Sequence, residues 1–283
     1  MLTVYAPAKV NLVLEVLGKY DDCHEVCSIV QAIDLYDALD FELAEEISLN
    51  SSEPGLEGNN LVIEAARLLK KATRYGKGAQ IKLYKHIPWG VGLGGGSSDA
   101  ASTLSALNKL WKLKLPIPEL LLLASKLGSD VPFFAYGGTA VVEGKGERVT
   151  PLWPLYPTHF VLLVPPLGKV PGKTGKLYGK LNAGHFTQGQ FVRAALLSLK
   201  RNRTIPPDLM FNVFEKVAFD FFAKLDEYRK RFEKAGASKV HLAGSGPCLF
   251  TPIREELKAK ELYSRLKNDG LECYLSASLP RNT

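Results

Sequence analysis

Gln80-Ile81-Lys82-Leu83-Tyr84-Lys85-His86-Ile87 runs into Pro88-Trp89-Gly90-Val91-Gly92-Leu93-Gly94-Gly95-Gly96-Ser97-Ser98, and that run leads directly into Asp99-Ala100-Ala101-Ser102-Thr103-Leu104. Ile81, Leu83 and Lys85 keep the two-residue alternation of a strand. Ala100, Leu104, Leu107 and Trp111 fall on one helical face. Between strand and helix stand five glycines and two serines. A helix start presents unpaired N–H groups and about half a positive charge. Glycines let the backbone come close to a phosphate, and Ser97 and Ser98 add hydroxyls at the first turn. The stretch therefore predicts a phosphate cradle; a tight turn without a ligand needs fewer glycines.

Two look-alike patterns point elsewhere and fail. Gly90, Gly92 and Gly95 satisfy the dinucleotide spacing, but the acid that should follow ~20 positions on is missing from Trp111–Leu115. Gly172-Lys173-Thr174 looks like the tail of a P-loop, yet the position five before Gly172 holds Leu167 instead of glycine.

Outward from the loop, Leu2–Val16 reads as a strand or hairpin and Ile29–Leu43 as a second strand-like run. Residues 50–60 read as a loop, and Asn60–Ala72 has helical spacing at Leu61, Ala65, Leu68 and Leu69. Residues 118–127 read as a helix stopped by Gly128 as its C′ glycine, with a β-rich stretch over 131–142. Prolines punctuate the chain from Pro154 to Pro171. Strands are expected at 239–242, 248–251 and 271–277, and a last helix near 255–267. The domain boundary is placed near Thr150–Pro157.

The chain has 283 residues, 46% hydrophobic and 23% charged, which suits one large domain or two smaller ones. No apolar run reaches the ~18–20 residues that span a bilayer. Asn11 and Glu15 break the N-terminal apolar stretch, so it does not read as a signal peptide. A cytoplasmic protein is expected. Four cysteines are too few for a disulfide scaffold, and Cys23, His24 and Cys27 lack the second ligand pair of a structural zinc site. From Arg148 to Pro207 there is no Asp or Glu but nine basic residues, against a net charge of +7 for the whole chain. Most of these are read as a solvated surface. A positive flank also steers anionic ligands. Nucleic acid is disfavoured because basic and aromatic residues do not interleave there.

Three short motifs carry a family resemblance. Ala6-Pro7-Ala8-Lys9-Val10-Asn11-Leu12, the Pro88–Ser98 loop and Ala243-Gly244-Ser245-Gly246-Pro247-Cys248 resemble, in order, the three motifs of the GHMP kinases. Within that superfamily, Leu17-Gly18-Lys19, His24-Glu25 and above all Leu127-Gly128-Ser129-Asp130-Val131-Pro132-Phe133-Phe134 resemble the diphosphocytidyl-methylerythritol kinases of non-mevalonate isoprenoid synthesis. The likeness is strong to about Glu147 and thin between Pro151 and Lys239.

That resemblance implies a two-layer α+β fold. Residues 1–152 would form an N-terminal, ATP-binding domain like ribosomal protein S5 domain 2, and residues 153–283 a ferredoxin-like C-terminal domain, with the active site in the cleft between them. It implies an ATP-dependent phosphotransferase acting on the 2-hydroxyl of a nucleotide-linked alcohol, with Mg2+ bridging phosphate oxygens. ATP would lie on Pro88, Trp89, Gly90, Val91, Gly92, Leu93, Gly94, Gly95, Gly96, Ser97 and Ser98. Asp130 would accept the hydroxyl proton; its bland reading is a turn or N-cap carboxylate. A partly buried position before an apolar strand is expected for it. Lys9 would orient that carboxylate and stabilise charge on the transferring group, against the bland reading of a snorkelling strand lysine. Asn11 shares its strand face. Asn11, Cys23, His24, Thr174, Gly244, Ser245 and Gly246 are the substrate-binding candidates. For the metal only Ser98 offers itself, and no protein ligand set is assigned.

One departure from the family stands out. The family segment Asp-Gly-Tyr-His is here Asp21-Asp22-Cys23-His24, so the tyrosine that stacks on cytosine is replaced by a thiol. Tyr20 or Phe186 is expected to substitute. The segment from Val170 to Tyr178 takes the place of another family stretch, with Thr174 and Tyr178 as the matching positions. The rival readings are a homoserine- or mevalonate-type kinase of the same superfamily, an NAD enzyme and a nucleic-acid-binding module.

Overall fold

The computed structural model describes residues 1–21, 23–55 and 60–281; Asp22 and the 56–59 part of the expected loop lie outside the described residues. The chain packs as two compact units. One comprises Met1–Ala8, Leu35–Trp89 and Gly94–Gly137; the other comprises Lys9–Asp34, Gly90–Leu93 and Gly138–Thr283. Two long strands, β1 (Leu2–Tyr20) and β2 (Cys23–Ala44), contribute residues to both. β1 is one continuous strand rather than a hairpin. Its valines and leucines favour extended backbone, and the stretch up to Tyr20 holds no turn-forming pair.

In the first unit, β3 (Ser48–Ser51) is followed by α1 (Leu61–Thr73), β4 (Gly78–Tyr84), α2 (Gly95–Leu110), α3 (Ile117–Leu127) and α4 (Val131–Tyr136). β4 pairs antiparallel with the second half of β2, from Ala38↔Tyr84 to Ala44↔Gly78, and parallel with β3. Its alternation is real: Ile81 and Leu83 are buried while Gln80, Lys82 and Tyr84 are exposed. Asn60 caps α1, its side chain accepting from Val62 N at 2.8 Å. Ala65, Ala66 and Leu69 of α1 meet Ala100, Leu104 and Leu107 of α2, with Trp111, over Leu39, Phe41, Ile81 and Leu83. Truncating one of these leucines to alanine costs about 2–5 kcal/mol.

Two expectations are corrected in this unit. Gly128 has φ 162°, which is extended backbone, so α3 does not end in a left-handed glycine cap. Residues 131–136 are helix, with Pro132 in the first turn where a missing N–H does no harm; the strand starts only at Thr139.

In the second unit the order is β5 (Thr139–Gly144), β6 (Arg148–Pro151), β7 (His159–Leu163), α5 (Lys173–Tyr178), α6 (Gln190–Asn202), β8 (Phe211–Asn212), α7 (Glu215–Phe221), α8 (Leu225–Lys234), β9 (His241–Leu242), β10 (Leu249–Ile253), α9 (Glu256–Asn268) and β11 (Cys273–Ala277). The first half of β2 pairs with β5, and β5 with β6. β8 lies parallel to β1 at Val13↔Phe211. A separate antiparallel sheet has the order β11-β7-β10-β9. Val161, Leu163, Leu249 and Cys273 of that sheet are buried in one core with Leu177, Val217, Phe232, Leu262 and Leu266 from the helices. Both units are helices packed on strands, the α+β class expected. The expected C-terminal strands and last helix are present within a few residues.

Candidate active site

Lys9 and Asn11 leave β1 on the same face, two residues apart, and both are buried. Lys9 Nζ donates to Asn11 Oδ1 at 2.7 Å. Asn11 Nδ2 donates to Ser28 Oγ at 2.9 Å, and Ser28 Oγ donates to Val13 O at 2.6 Å. The chain of bonds fixes the asparagine amide and leaves its oxygen turned to the ammonium. Two positions farther along that face, the buried Glu15 carboxylate accepts from Phe191 N and Val192 N at the start of α6. An acid at a helix N-terminus answers its unpaired donors. The polar residues that interrupt the apolar N-terminal stretch are thus the partner of Lys9 and a helix anchor.

The glycine-rich stretch passes through both units. Gly90–Leu93 lies beside the C-terminal glycine loop, backbone against backbone. Cys248 N donates to Val91 O at 3.1 Å, and Lys9 N donates to Leu93 O at 2.9 Å. A Cβ on Gly244 would stand 2.9 Å from Gly92 O and 3.3 Å from Lys9 Nζ. Gly92 and Gly244 are glycines because the two loops need each other's space, as well as for any ligand. The C-terminal loop is itself held from β8: Asn212 Nδ2 donates to Leu242 O at 2.8 Å and to Gly244 O at 2.7 Å. Thr174 and Ser245, both expected at the substrate, meet through their hydroxyls at 3.0 Å.

Gly94 caps α2 with a left-handed φ of 73°. Gly95 is crowded, with Ile87, Lys85 and Asp37 all 3.1–3.3 Å from the position of a Cβ. Beneath this helix start, Lys85 Nζ bridges two buried carboxylates, Asp37 and Asp99, the latter at 2.8 Å. Asp37 Oδ1 also accepts from His86 N at 2.7 Å and Ile87 N at 2.9 Å. Burial pushes the Asp99 carboxyl up to about 7, Lys85 opposes this, and the Asp37 charge adds to it. Burial alone would lower Lys85, but the two carboxylates outweigh it and hold its pKa above the ordinary value. Ser98 Oγ is fully buried and has no hydrogen-bond partner among the described residues. Trp89 Nε1 donates to Glu53 Oε1 at 2.9 Å, tying the exposed indole to the preceding loop.

Asp130 stands at the start of α4 with helical backbone, and its side chain makes no cap bond to that helix. It is exposed, not partly buried, while Val131 and Phe133 of that helix are buried. It lies in the turn before α4, as its bland reading has it, without the cap bond.

His24 and Cys23 open β2. The His24 ring stacks on Tyr178 at 4.7 Å and 27°, and Phe186 meets it edge-on at 6.2 Å. Tyr178 in turn packs edge-on against Phe214 at 4.9 Å. Burial, then the charge of Lys19, lowers the His24 pKa. Of the two rings expected to stand in for the missing tyrosine, Phe186 is the one at His24; Tyr20 is 67% exposed.

Sequence reasoning missed Ser28, Asn212, the Asp37–Lys85–Asp99 cluster and Lys173. Lys85 had a signal, since it continues the inward alternation of Ile81 and Leu83. Lys173 had one too: Leu177 and Leu181 follow it at four-residue spacing, which marks a face turned inward.

The chain is similar to known proteins over nearly its whole length. The family described as GHMP kinases N terminal domain matches residues 60–138, and that described as GHMP kinases C terminal matches residues 193–271. A 4-diphosphocytidyl-2-C-methyl-D-erythritol kinase of Dehalococcoides mccartyi is 43% identical over 281 residues, 99% of each chain. A crystal structure of 4-(cytidine 5'-diphospho)-2C-methyl-D-erythritol kinase superposes with a TM-score of 0.82 at 35% identity, covering 98% of this chain and 99% of that one. A homoserine kinase structure from Cytophaga hutchinsonii, at 20% identity and a TM-score of 0.76, shares the fold over 99% of this chain and 95% of its own.

Proposed function

The chain belongs to the GHMP kinases, in the family of the 4-diphosphocytidyl-2-C-methyl-D-erythritol kinases, and from that membership we propose that it transfers the γ-phosphoryl group of ATP to the 2-hydroxyl of 4-diphosphocytidyl-2-C-methyl-D-erythritol. One observation carries the ATP-site part of this reading. Gly96 is exposed in the first turn of α2, its backbone is ordinary, and among the described residues no atom outside its own stretch of chain lies within 4 Å of where a Cβ would stand. Alanine there would favour the helix by about 0.5–1 kcal/mol. The fold gives no reason for glycine at this position, whereas close approach of a phosphate does.

The surroundings of each residue support the role proposed for it. The loop from Pro88 to Ser98 offers backbone N–H groups and the α2 N-terminus to the triphosphate. The buried Lys9 ammonium, steadied by Asn11, meets charge developing on the transferring group. Asp130, not engaged as a cap, accepts the proton of the attacking hydroxyl. Mg2+ fits here through Ser98, whose buried, unpartnered oxygen is of the kind that joins phosphates and waters around this ion. When bound, Mg2+ neutralises phosphate charge. Thr174, Ser245, Gly244 and Gly246 face the acceptor, and His24 with Cys23 and Phe186 receives the cytosine. Residues 1–152 and 153–283 are the corresponding ATP-binding and C-terminal domains; the two matched segments fall one on each side of that boundary. The enzyme so described is cytoplasmic; among the described residues no helix is long and apolar enough to cross a membrane.

The test is ATP consumption against a panel: the cytidine-linked substrate, methylerythritol without the nucleotide, homoserine and mevalonate, with Asp130→Asn as control. Turnover confined to the cytidine-linked substrate is expected, with roughly a 10²–10⁴-fold loss in Asp130→Asn. Equal rates with and without the nucleotide would sink the cytosine assignment. Full activity of Asp130→Asn would remove that residue as the base.

A further inference from the structure

Lys173 is the one buried residue among the nine basic residues of the acid-free segment, at 8% exposure. It opens α5, and its Nζ donates to Gly90 O at 2.9 Å and to Gly246 O. Those two carbonyls belong to the two glycine loops, one on either side of the Cys248–Val91 backbone bond.

The environment of this ammonium is unusual. A buried lysine ordinarily takes a carboxylate partner. Here both partners are neutral carbonyls, and no carboxylate among the described residues acts on it. Burial, and then the neighbouring charge of Lys9, pulls its pKa down to about 8. A cation kept where burial and a like charge both oppose it is held there for its hydrogen bonds. A planar peptide carries its C=O and the following N–H on opposite edges. Fixing Gly90 O toward Lys173 therefore sets the Val91 N–H on the far edge of the loop. Gly90 has a left-handed φ of 77°, and among the described residues no atom beyond its chain neighbours lies within 4 Å of a Cβ built on it, so the loop does not fix itself by packing there.

We propose that Lys173 is a positioning residue for the phosphoryl transfer: its ammonium clasps Gly90 and Gly246, holds the two glycine loops in register, and stations a second cation beside Lys9 for the polyphosphate. What the loops hold rests on the ATP-site reading above; the clasp does not.

The test uses the full chain with Lys173→Met, which deletes donors and charge, and Lys173→Gln, which keeps an N–H donor without the charge. Amide hydrogen exchange is followed without ligand, and ATP affinity and both KM values are then measured. In Lys173→Met, exchange at 90–93 and 243–248 speeds up while the β7–β10 core stays protected. ATP affinity falls roughly ten- to hundredfold, because two buried carbonyls lose their partner and the binding-competent loop becomes a minor population. KM for the acceptor rises as well, since the 243–248 loop slackens with the ATP loop, while Tm changes little. Lys173→Gln regains part of the exchange protection and, lacking the charge, less of the ATP affinity. Unchanged exchange in both loops overturns the clasp, as does a parallel loss of ATP and acceptor affinity that tracks a general fall in Tm. Should Lys173→Met not fold, Lys173→Gln makes the same comparison. If the wild-type chain binds no ATP, the ATP-site reading fails, and the exchange data decide the clasp alone.

Discussion

A Cβ on Gly92 would stand 2.0 Å from the carbonyl oxygen of Ala243. The two residues lie in different glycine loops, 151 positions apart in sequence, and the approach leaves no room for any side chain. The same run of chain therefore contains glycines of two kinds. Gly92 serves the packing of one loop on another, and Gly96 faces open space.

Substitution separates the two kinds. Gly92→Ala pushes a methyl into backbone and also sits at φ 101°, so it costs stability as well as ATP binding; a loss of about 2 kcal/mol or more is expected in denaturant unfolding. Gly96→Ala keeps or slightly raises stability, by up to about 1 kcal/mol, and still weakens ATP binding at least tenfold by blocking the phosphate's approach. Wild-type ATP affinity in Gly96→Ala would contradict the assignment of that surface to the triphosphate.

The Asp37–Lys85–Asp99 cluster gives one ammonium to two buried carboxylates. Removing the shared cation with Lys85→Met strands both acids and costs about 3–5 kcal/mol. Removing the surplus acid with Asp99→Asn does the opposite. Asp99 has a pKa raised to about 7 from 3.8, so between those values the folded chain holds a proton that the unfolded chain has lost. Wild-type stability therefore falls, relative to Asp99→Asn, as pH rises from about 4 to about 7, and stays lower above that. Urea unfolding of both proteins from pH 4 to 8 measures the difference. A constant gap across that range would mean that Asp99 is ionised throughout.

At the proposed acceptor end, Cys23 stands where the family resemblance implies a ring, beside a His24 already stacked on Tyr178 and flanked by Phe186. Restoring the ring with Cys23→Tyr adds a stacking surface worth about 1–3 kcal/mol, so KM for the cytidine-linked substrate falls roughly five- to hundredfold with KM for ATP unchanged. Phe186→Ala raises the same KM. If neither substitution moves it, the base binds elsewhere.

Much of the local structure is written in short-range pattern. The alternation of Ile81, Leu83 and Lys85 sets a strand, and the four-residue spacing of Ala100, Leu104, Leu107 and Trp111 sets the helix after it. Lys9 and Asn11 share a face because a strand repeats every two residues. The motifs around Gly92, Asp130 and Gly244 were enough to point to the kinase family. Asp130 itself shows where pattern ran short. A run of Val-Pro-Phe-Phe reads as strand by residue type, but Pro132 fits a helical first turn, and the segment became α4.

The sequence alone determined the periodicities, and with them the strands, the helices and the residue types offered to a phosphate. Only the tertiary structure decided which of those residues meet. Gly92 against Ala243, Lys173 between Gly90 and Gly246, Thr174 on Ser245 and His24 on Tyr178 are all pairings across 70 or more residues. Such contacts carry no local signature. They are set by how sheets and helices close-pack, which depends on the whole chain at once. That is why the basic segment read correctly as mostly solvated surface while the one lysine it buries, on the glycine loops, remained hidden.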